Sequence, residues 1–447
     1  LLSPAWWLLP GYLFCPVRIK NRSERESEVG QNSLNNKLSQ RLPMHWVTVG
    51  AILFGLTAIW GSTYNSYSLF MTPIQESLQA TRAEIVLGVT VKGAGSIFGT
   101  YLCALLLRHI PVMKLIRLNS LLLVANIISL SYIQNLIQYY TVLFIQTALL
   151  SVGGYIPLSI VIHNWFQKRS SFAIGIAFTG SGLGGAIFNW LGGIWIPALG
   201  WRYTMFLFGL ITLAVSFLTL FLIVRPTPYE LGLKPYGATE GAQENEEQLR
   251  TEGVEVKDAV RTASFWIFIL AIFLMSLSND TLFSNLPPHL IDEGYQLTEA
   301  AKISSAIMIF LTVGKSLMGY LYDVLGLKIT SILSSLCTIV GLFSAIMISN
   351  KVFAVPLAVS TGLGLAFSSV AFSILVRSMY GPKNYARFSS YLQITYGIAT
   401  IIAPVIISFI YNKTHSYVFA FWLLLISTVL AAVAFFFILP KKGQSPY

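Results

Sequence analysis

The ten residues Gly319-Tyr320-Leu321-Tyr322-Asp323-Val324-Leu325-Gly326-Leu327-Lys328 lie between two long apolar runs and read as a tight turn from one helix into the next. Asp323 places a carboxylate at a helix end, Gly326 permits a sharp turn and Lys328 supplies a cation, so that two helices join in about four residues and lock against a neighbour. Working outward, apolar runs recur at roughly 46–71, 84–107, 111–133, 138–163, 170–198 and 202–225, then 263–288, 298–322, 328–349, 352–377, 385–411 and 415–439. A bilayer core of about 30 Å needs roughly 20 such residues per crossing. A backbone in lipid must satisfy its own hydrogen bonds, so these runs are expected to be helices.

Composition agrees. Of the 447 residues, 55% are hydrophobic and 11% charged, against about 25% charged in a soluble chain. The net charge of +11 would suggest nucleic acid in a soluble protein, but here the basic residues fall in short connections, which implies membrane topology and no nucleic-acid partner. Cys15, Cys103 and Cys337 lack metal-ligand spacing; no metal, cofactor or disulfide framework is expected.

The polar stretch Pro226 to Arg261, with Glu240, Glu244, Glu246 and Glu247, divides the runs into two sets of six. The expected organisation is an N-terminal arm, 1–43, disordered or non-native because Met44 is read as the natural start. A six-helix bundle, 44–225, a cytoplasmic linker, 226–262, a second bundle, 263–440, and a tail, 441–447, follow. With both termini inside, one side carries Arg108, Lys114, Arg117, Lys168, Arg169, Lys328, Arg377, Lys383 and Arg387. The other holds Arg82, Arg202, Lys302, Lys351 and Lys413, the asymmetry expected of cytoplasmic termini.

The turn at Gly319, Asp323, Gly326 and Lys328 resembles the loop motif G-x-L-x-D-x-x-G-x-[KR] of the major facilitator superfamily. Its first-half counterpart, Cys103 to Lys114, keeps Arg108 but has Leu107 and Ile110 where Asp and Gly are usual. Ala80 to Ile85, Asn164 to Gly175 and Val256 to Trp266 are similar to the oxalate:formate antiporter and monocarboxylate transporter branch. The resemblance covers Met44 to Pro440. It implies an all-α membrane protein with twelve transmembrane helices in two pseudo-symmetric six-helix bundles, working by alternating access as a monomer in the plasma or inner membrane.

Ionisable groups within the runs are costly, about 2.5–3.5 kcal/mol each, and usually line a polar cavity. Lys92, Asp280 and Lys315 are the candidates. Lys315 stands four residues before Gly319, where the resemblance places a substrate-binding Arg. The family's Asp one turn earlier is replaced by Leu311, its helix-one Lys by Asn65, and the run 387–410 lacks a mid-membrane Lys. Lys92 is then a candidate second cation, and Asp280 either neutralises a lysine or carries a coupling proton. Tyr64, Asn65, Tyr67, Tyr155, Asn189, Gln393 and Tyr396 are further candidate cavity residues. His109, His163 and His289, near run ends, are expected to be solvated or interfacial.

The expectation is a secondary active carrier of small organic anions, mono- or dicarboxylates, by antiport or proton symport, and not an enzyme. The alternative is efflux of hydrophobic compounds, which the 13% aromatic content would suit.

Overall fold

The computed structural model describes residues 44–238, 253–414 and 416–440, and the helices belong to one compact unit, His45–Tyr447. The expected N-terminal arm, the acidic centre of the linker and the tail 441–447 lie outside the described residues.

Among the described residues, twelve helical crossings follow one another in the order the apolar runs suggest. The first, α1, comprises Met44–Trp60, a π turn over Gly61–Asn65, and Tyr67–Leu78. Next come α2 (Arg82–Leu106), α3 (Val112–Leu130), α4 (Leu136–Gly153 and Tyr155–Trp165), α5 (Ser170–Leu199) and α6 (Trp201–Ser216, then a π turn Phe217–Ile223). The second half holds α7 (Ala263–Asp292), α8 (Leu297–Leu325), α9 (Leu327–Ile346), α10 (Ala354–Tyr380), α11 (Tyr385–Thr414) and α12 (Val418–Ile438). Eleven candidate spans are long and apolar enough to cross a membrane; α11 is of similar length and more polar. Side chains such as Ile137, Val355 and Phe437 are over 70% exposed on the outer surface. Water would penalise such a surface, whereas lipid matches it.

Local chemistry sets the ends. Thr81 and Glu84 form a reciprocal capping box at the start of α2, and α7 is capped by Thr262, whose hydroxyl accepts from the Phe265 amide. Gly326, at φ +83°, lets α8 turn into α9 without the steric cost a side chain would meet. Two departures from the expected runs have local causes: α1 continues to Leu78 through its π turn, and α4 breaks at Gly154, whose ψ of −131° no helix can adopt.

The two halves repeat one packing scheme. Within the first, α2 packs on α4, α1 on α5 and α3 on α6; within the second, α8 packs on α10, α7 on α11 and α9 on α12. Hydroxyl pairs repeat as well: Ser62 of α1 meets Thr212 of α6 at 2.9 Å, and Ser278 of α7 meets Ser427 of α12 at 2.9 Å. Between the halves, α5 packs on α8 and α2 on α11, the two contacts that a pseudo-twofold exchange interconverts.

Glycines explain how closely these helices approach. A Cβ on Gly175 would lie 2.5 Å from the Lys315 carbonyl, and one on Gly319 would strike the Ser171 carbonyl. The neighbouring face of α5 presents Gly180 and Gly184 to the α1 carbonyls of Leu53 and Thr57. Helix five is glycine-crowded because it fits against a partner on each side.

The histidine expectation is corrected for two of three residues. His163 and His289 are buried, at 8% and 1% exposure, whereas His109 is exposed. His289 Nε2 lies 2.8 Å from the Ala345 carbonyl and its ring packs edge-on to Phe421, so this imidazole ties α7 to α9 and α12.

Gly175→Val should force α5 from α8 and destabilise the fold by about 1–3 kcal/mol, as overpacking of a tight contact does. Thermal unfolding in detergent checks this; an unchanged midpoint would mean the seam is not tight.

Candidate substrate site

Lys315 projects from α8 toward α5 and is 5% exposed; its Nζ donates to Ser181 Oγ at 2.6 Å. Ser181 is also gripped from the first helix, where Asn65 Nδ2 donates to its carbonyl at 2.5 Å. Asn189, two turns along α5, donates to the Asn65 carbonyl at 3.2 Å. The π turn makes this possible: it ends at Asn65 and swings that side chain onto the glycine-lined face of α5.

Lys92, on α2, is 6% exposed and stands over two aromatic faces of the first helix, 3.8 Å from the Tyr67 ring centre and 4.7 Å from that of Tyr64. Tyr67 is held by a hydroxyl-to-hydroxyl bond with Tyr139 of α4. Among the described residues neither lysine has an ion pair; the pairs present there join Lys351 to Glu299 and Lys383 to Glu255. Counting along α8 and α2 from the equivalent positions Asp323 and Leu107, Lys92 sits seven residues farther from the loop than Lys315. At 1.5 Å per residue it is about 10 Å farther along the bundle axis.

Asp280 of α7 is part-buried and accepts from Tyr396 Oη at 3.2 Å and Thr400 Oγ1 at 2.9 Å, both on one face of α11. A residue of α7 thus holds α11 as Asn65 of α1 holds α5, the pseudo-symmetric arrangement. Tyr155 of α4 lies among aromatic rings. Its ring stacks on Trp60 at 4.7 Å and leans on Phe178 at 4.5 Å, while Trp60 lies 5.3 Å from Tyr64.

The contacts fall into three groups: Lys315 and Asn65 at Ser181; Lys92 with Tyr64, and through it Trp60 and Tyr155; and Asp280 with Tyr396 and Thr400. Gln393, one turn before Tyr396, is half-buried and makes no side-chain hydrogen bond among the described residues. Three participants escaped the sequence reading: Trp60, Ser181 and Thr400. None is ionisable, so nothing in an apolar run marks them out from packing residues.

The halves are fastened on the side of this set that carries most of the basic loop residues. Asp323 Oδ2 accepts from the Phe172 amide at 2.9 Å, placing a carboxylate at the N-terminus of α5, where the helix dipole and an unpaired amide favour it. Ser159 of α4 is a second fastening: its Oγ lies 3.1 Å from Ser373 Oγ of α10 and 3.0 Å from Tyr385 Oη of α11. His163 stacks edge-on to the same Tyr385 ring at 5.7 Å. Ser390 donates to the Thr100 carbonyl at 3.2 Å, joining α11 to α2. Beyond the level of Lys92, no hydrogen bond or ring contact joins the halves among the described residues.

The profile of the Major Facilitator Superfamily matches residues 51–369 and 298–446, which together take in nearly all of both helical sets. The chain belongs to the Major Facilitator Superfamily. Monocarboxylate transporter 13 of Bos taurus is 23% identical over 424 residues, covering 90% of this chain and 92% of that protein. The riboflavin transporter RibJ of Trypanosoma cruzi is 29% identical over 145 residues, 31% of this chain, and the chain spans 30% of that relative's length. Among solved structures, the proton:xylose symporter XylE superposes with a TM-score of 0.72 at 12% identity, over 90% of this chain and 97% of that one.

As a member of the superfamily, the chain is asymmetric at its loop motifs. Lys328, the cation of the intact motif, lies 4.0 Å from the Phe436 ring on α12, and Asp323 locks α5. In the other half Leu107 offers no carboxylate, and Arg108 is exposed without a side-chain partner among the described residues. The acid near the start of α11 comes from the linker instead. Glu255 pairs with Lys383 at 2.7 Å and accepts from Asn384, and the lysine's bond and charge hold its carboxyl below the usual carboxylate value. That contact stays within the second half, so it fastens the linker and not the two bundles.

Asp323→Asn should weaken the carboxylate latch between α8 and α5 and raise the share of molecules open on the basic side. Spin labels on α4 and α10 near that face would report it, and an unaltered distance distribution would rule the latch out.

Proposed function

We propose that this transporter carries small organic anions, mono- or dicarboxylates, by alternating access between its two halves. The observation that carries the reading is Lys315, buried and seated where the halves meet, with a serine hydroxyl as its partner and no carboxylate among the described residues. Removing a lysine from water without a counter-ion costs several kcal/mol, and an anionic substrate supplies the missing charge. Lys92, parked on tyrosine faces, is a second cation free to exchange a cation–π contact for a carboxylate.

Asp280 suits a coupling role. It lies on the inner side of α7, bound to Tyr396 and Thr400 and without a lysine partner among the described residues, so protonation would release α11 from α7. This fits either proton symport or exchange of one anion for another. The full-length similarity to a monocarboxylate transporter supports the substrate class. Efflux of hydrophobic compounds would use the aromatic rings but leave both lysines without purpose.

The basic side is read as cytoplasmic, with both termini there and the protein working as a monomer in the plasma or inner membrane. The fastened side is then the inner one, and the site opens outward. In proteoliposomes, Lys315→Ala should lower uptake of the transported carboxylate at least about tenfold, a fraction of the cost of an unpaired charge; normal uptake would remove the assignment. Asp280→Asn should keep anion exchange while abolishing accumulation driven by a proton gradient. Intact proton-driven accumulation would sink the coupling role.

A further inference from the structure

We propose that the site is built for an aromatic carboxylate, whose ring travels along a row of side-chain rings between the two lysines. This rests on the anion-carrier reading above and narrows it. Three rings follow one another: Tyr155 stacks on Trp60, Trp60 abuts Tyr64, and Tyr64 lies under Lys92. At the other end Tyr155 leans on Phe178, three residues before the Ser181 that holds Lys315 on the same helix.

The spacing gives the row its meaning. The lysines stand about 10 Å apart along the axis, too far for the single carboxylate of a small acid to touch both at once. A passenger must leave one cation before it reaches the other. An aliphatic acid gains only apolar burial from the rings between, whereas a planar π system adds a stacking contact.

Other uses of the rings explain only part of the row. Tyr64 and Tyr67 hold Lys92, but Trp60 and Tyr155 touch no cation among the described residues. None of the three rings is sealed in the core: Tyr64 is 47% exposed, and Trp60 and Tyr155 are each part-exposed. Trp60 also carries a signal of its own. Its indole Nε1 is shielded from solvent and has no hydrogen-bond acceptor among the described residues, although a buried indole N–H nearly always finds one. A carboxylate passing from Lys92 toward Lys315 supplies that acceptor.

Competition by unlabelled acids against uptake in proteoliposomes tests this, using benzoate, cyclohexanecarboxylate and propionate. Benzoate and cyclohexanecarboxylate match in charge and closely in size, and differ in the π face. Benzoate should compete about tenfold better than cyclohexanecarboxylate, the scale expected of one good aromatic contact. Trp60→Leu should cut the affinity for benzoate several-fold more than that for cyclohexanecarboxylate, and Trp60→Phe should restore most of the difference. Equal competition by the two ring acids in the unmodified protein would overturn the aromatic assignment while leaving the anion carrier standing. Failure of every acid in the panel to compete or be taken up would overturn both. Because the first comparison uses the unmodified chain, it decides the matter even where Trp60→Leu does not fold.

Discussion

A lysine ammonium held in an apolar bundle without a carboxylate is the constraint around which this molecule is arranged. Lys315 and Lys92 answer it in different ways. The first donates to a hydroxyl, Ser181 Oγ, on the opposite half; the second rests on the faces of Tyr64 and Tyr67 within its own half. Both partners are weaker than a carboxylate, and each leaves most of the ammonium's hydrogen-bonding capacity unused. The bundle supplies enough to keep the charges in place and too little to neutralise them. A structural ion pair would have ended that state, and Asp280 of α7 is instead occupied by Tyr396 and Thr400.

Around that constraint the two halves are alike in packing and unlike in chemistry. Ser62 with Thr212 and Ser278 with Ser427 show how closely the repeat holds in its framework. In the candidate site it has diverged: the first half contributes Lys92, aromatic rings and an amide, Asn65, and the second contributes Lys315, Asp280 and Tyr396. The loop motifs diverge too, since Asp323 reaches α5 whereas Leu107 has no polar side chain to offer. One of the two pseudo-equivalent seams, α5 with α8, is therefore polar-locked. The other, α2 with α11, is held by apolar contacts such as Ile97 against Gly397 and by the Ser390 hydroxyl.

The architecture was legible because it rests on run length and charge placement, which the chain writes in order along itself. The apolar runs and the Asp323 turn are local features, and each run corresponds to one helical crossing, with α1 and α7 continuing past the expected ends. The site was legible only where a residue violates its surroundings: Lys92, Lys315 and Asp280 stand out in any apolar helix. Trp60 and Ser181 do not, for a tryptophan or serine in such a helix packs more often than it binds. The histidines misled for a related reason. His289 is near a run end, but α7 extends past Pro288 to Asp292, so the ring falls inside the bundle where Ala345 and Phe421 receive it. The π turn at Gly61–Asn65 had no signature in the periodicity, since it falls in the polar stretch Gly61-Ser62-Thr63-Tyr64-Asn65, which has no hydrophobic repeat for an added residue to shift.

The same two helices carry both the lysine and the latch, and this links occupancy to movement. Lys315 and Asp323 are two turns apart on α8, and the groups they hold, Ser181 and the Phe172 amide, are about as far apart on α5. Gly175, between them, lets the backbones touch. The seam is thus pinned at two points, one of which is the lysine proposed to receive the substrate. An anion that draws Lys315 away from Ser181 removes the upper pin and leaves Asp323 to hold the helices alone. In a seam with no side chains at Gly175 or Gly319 to interlock, a single charged hydrogen bond is a small barrier to sliding. On the proposed reading, binding at Lys315 weakens the fastened side through contacts already in place, with no separate relay between site and latch.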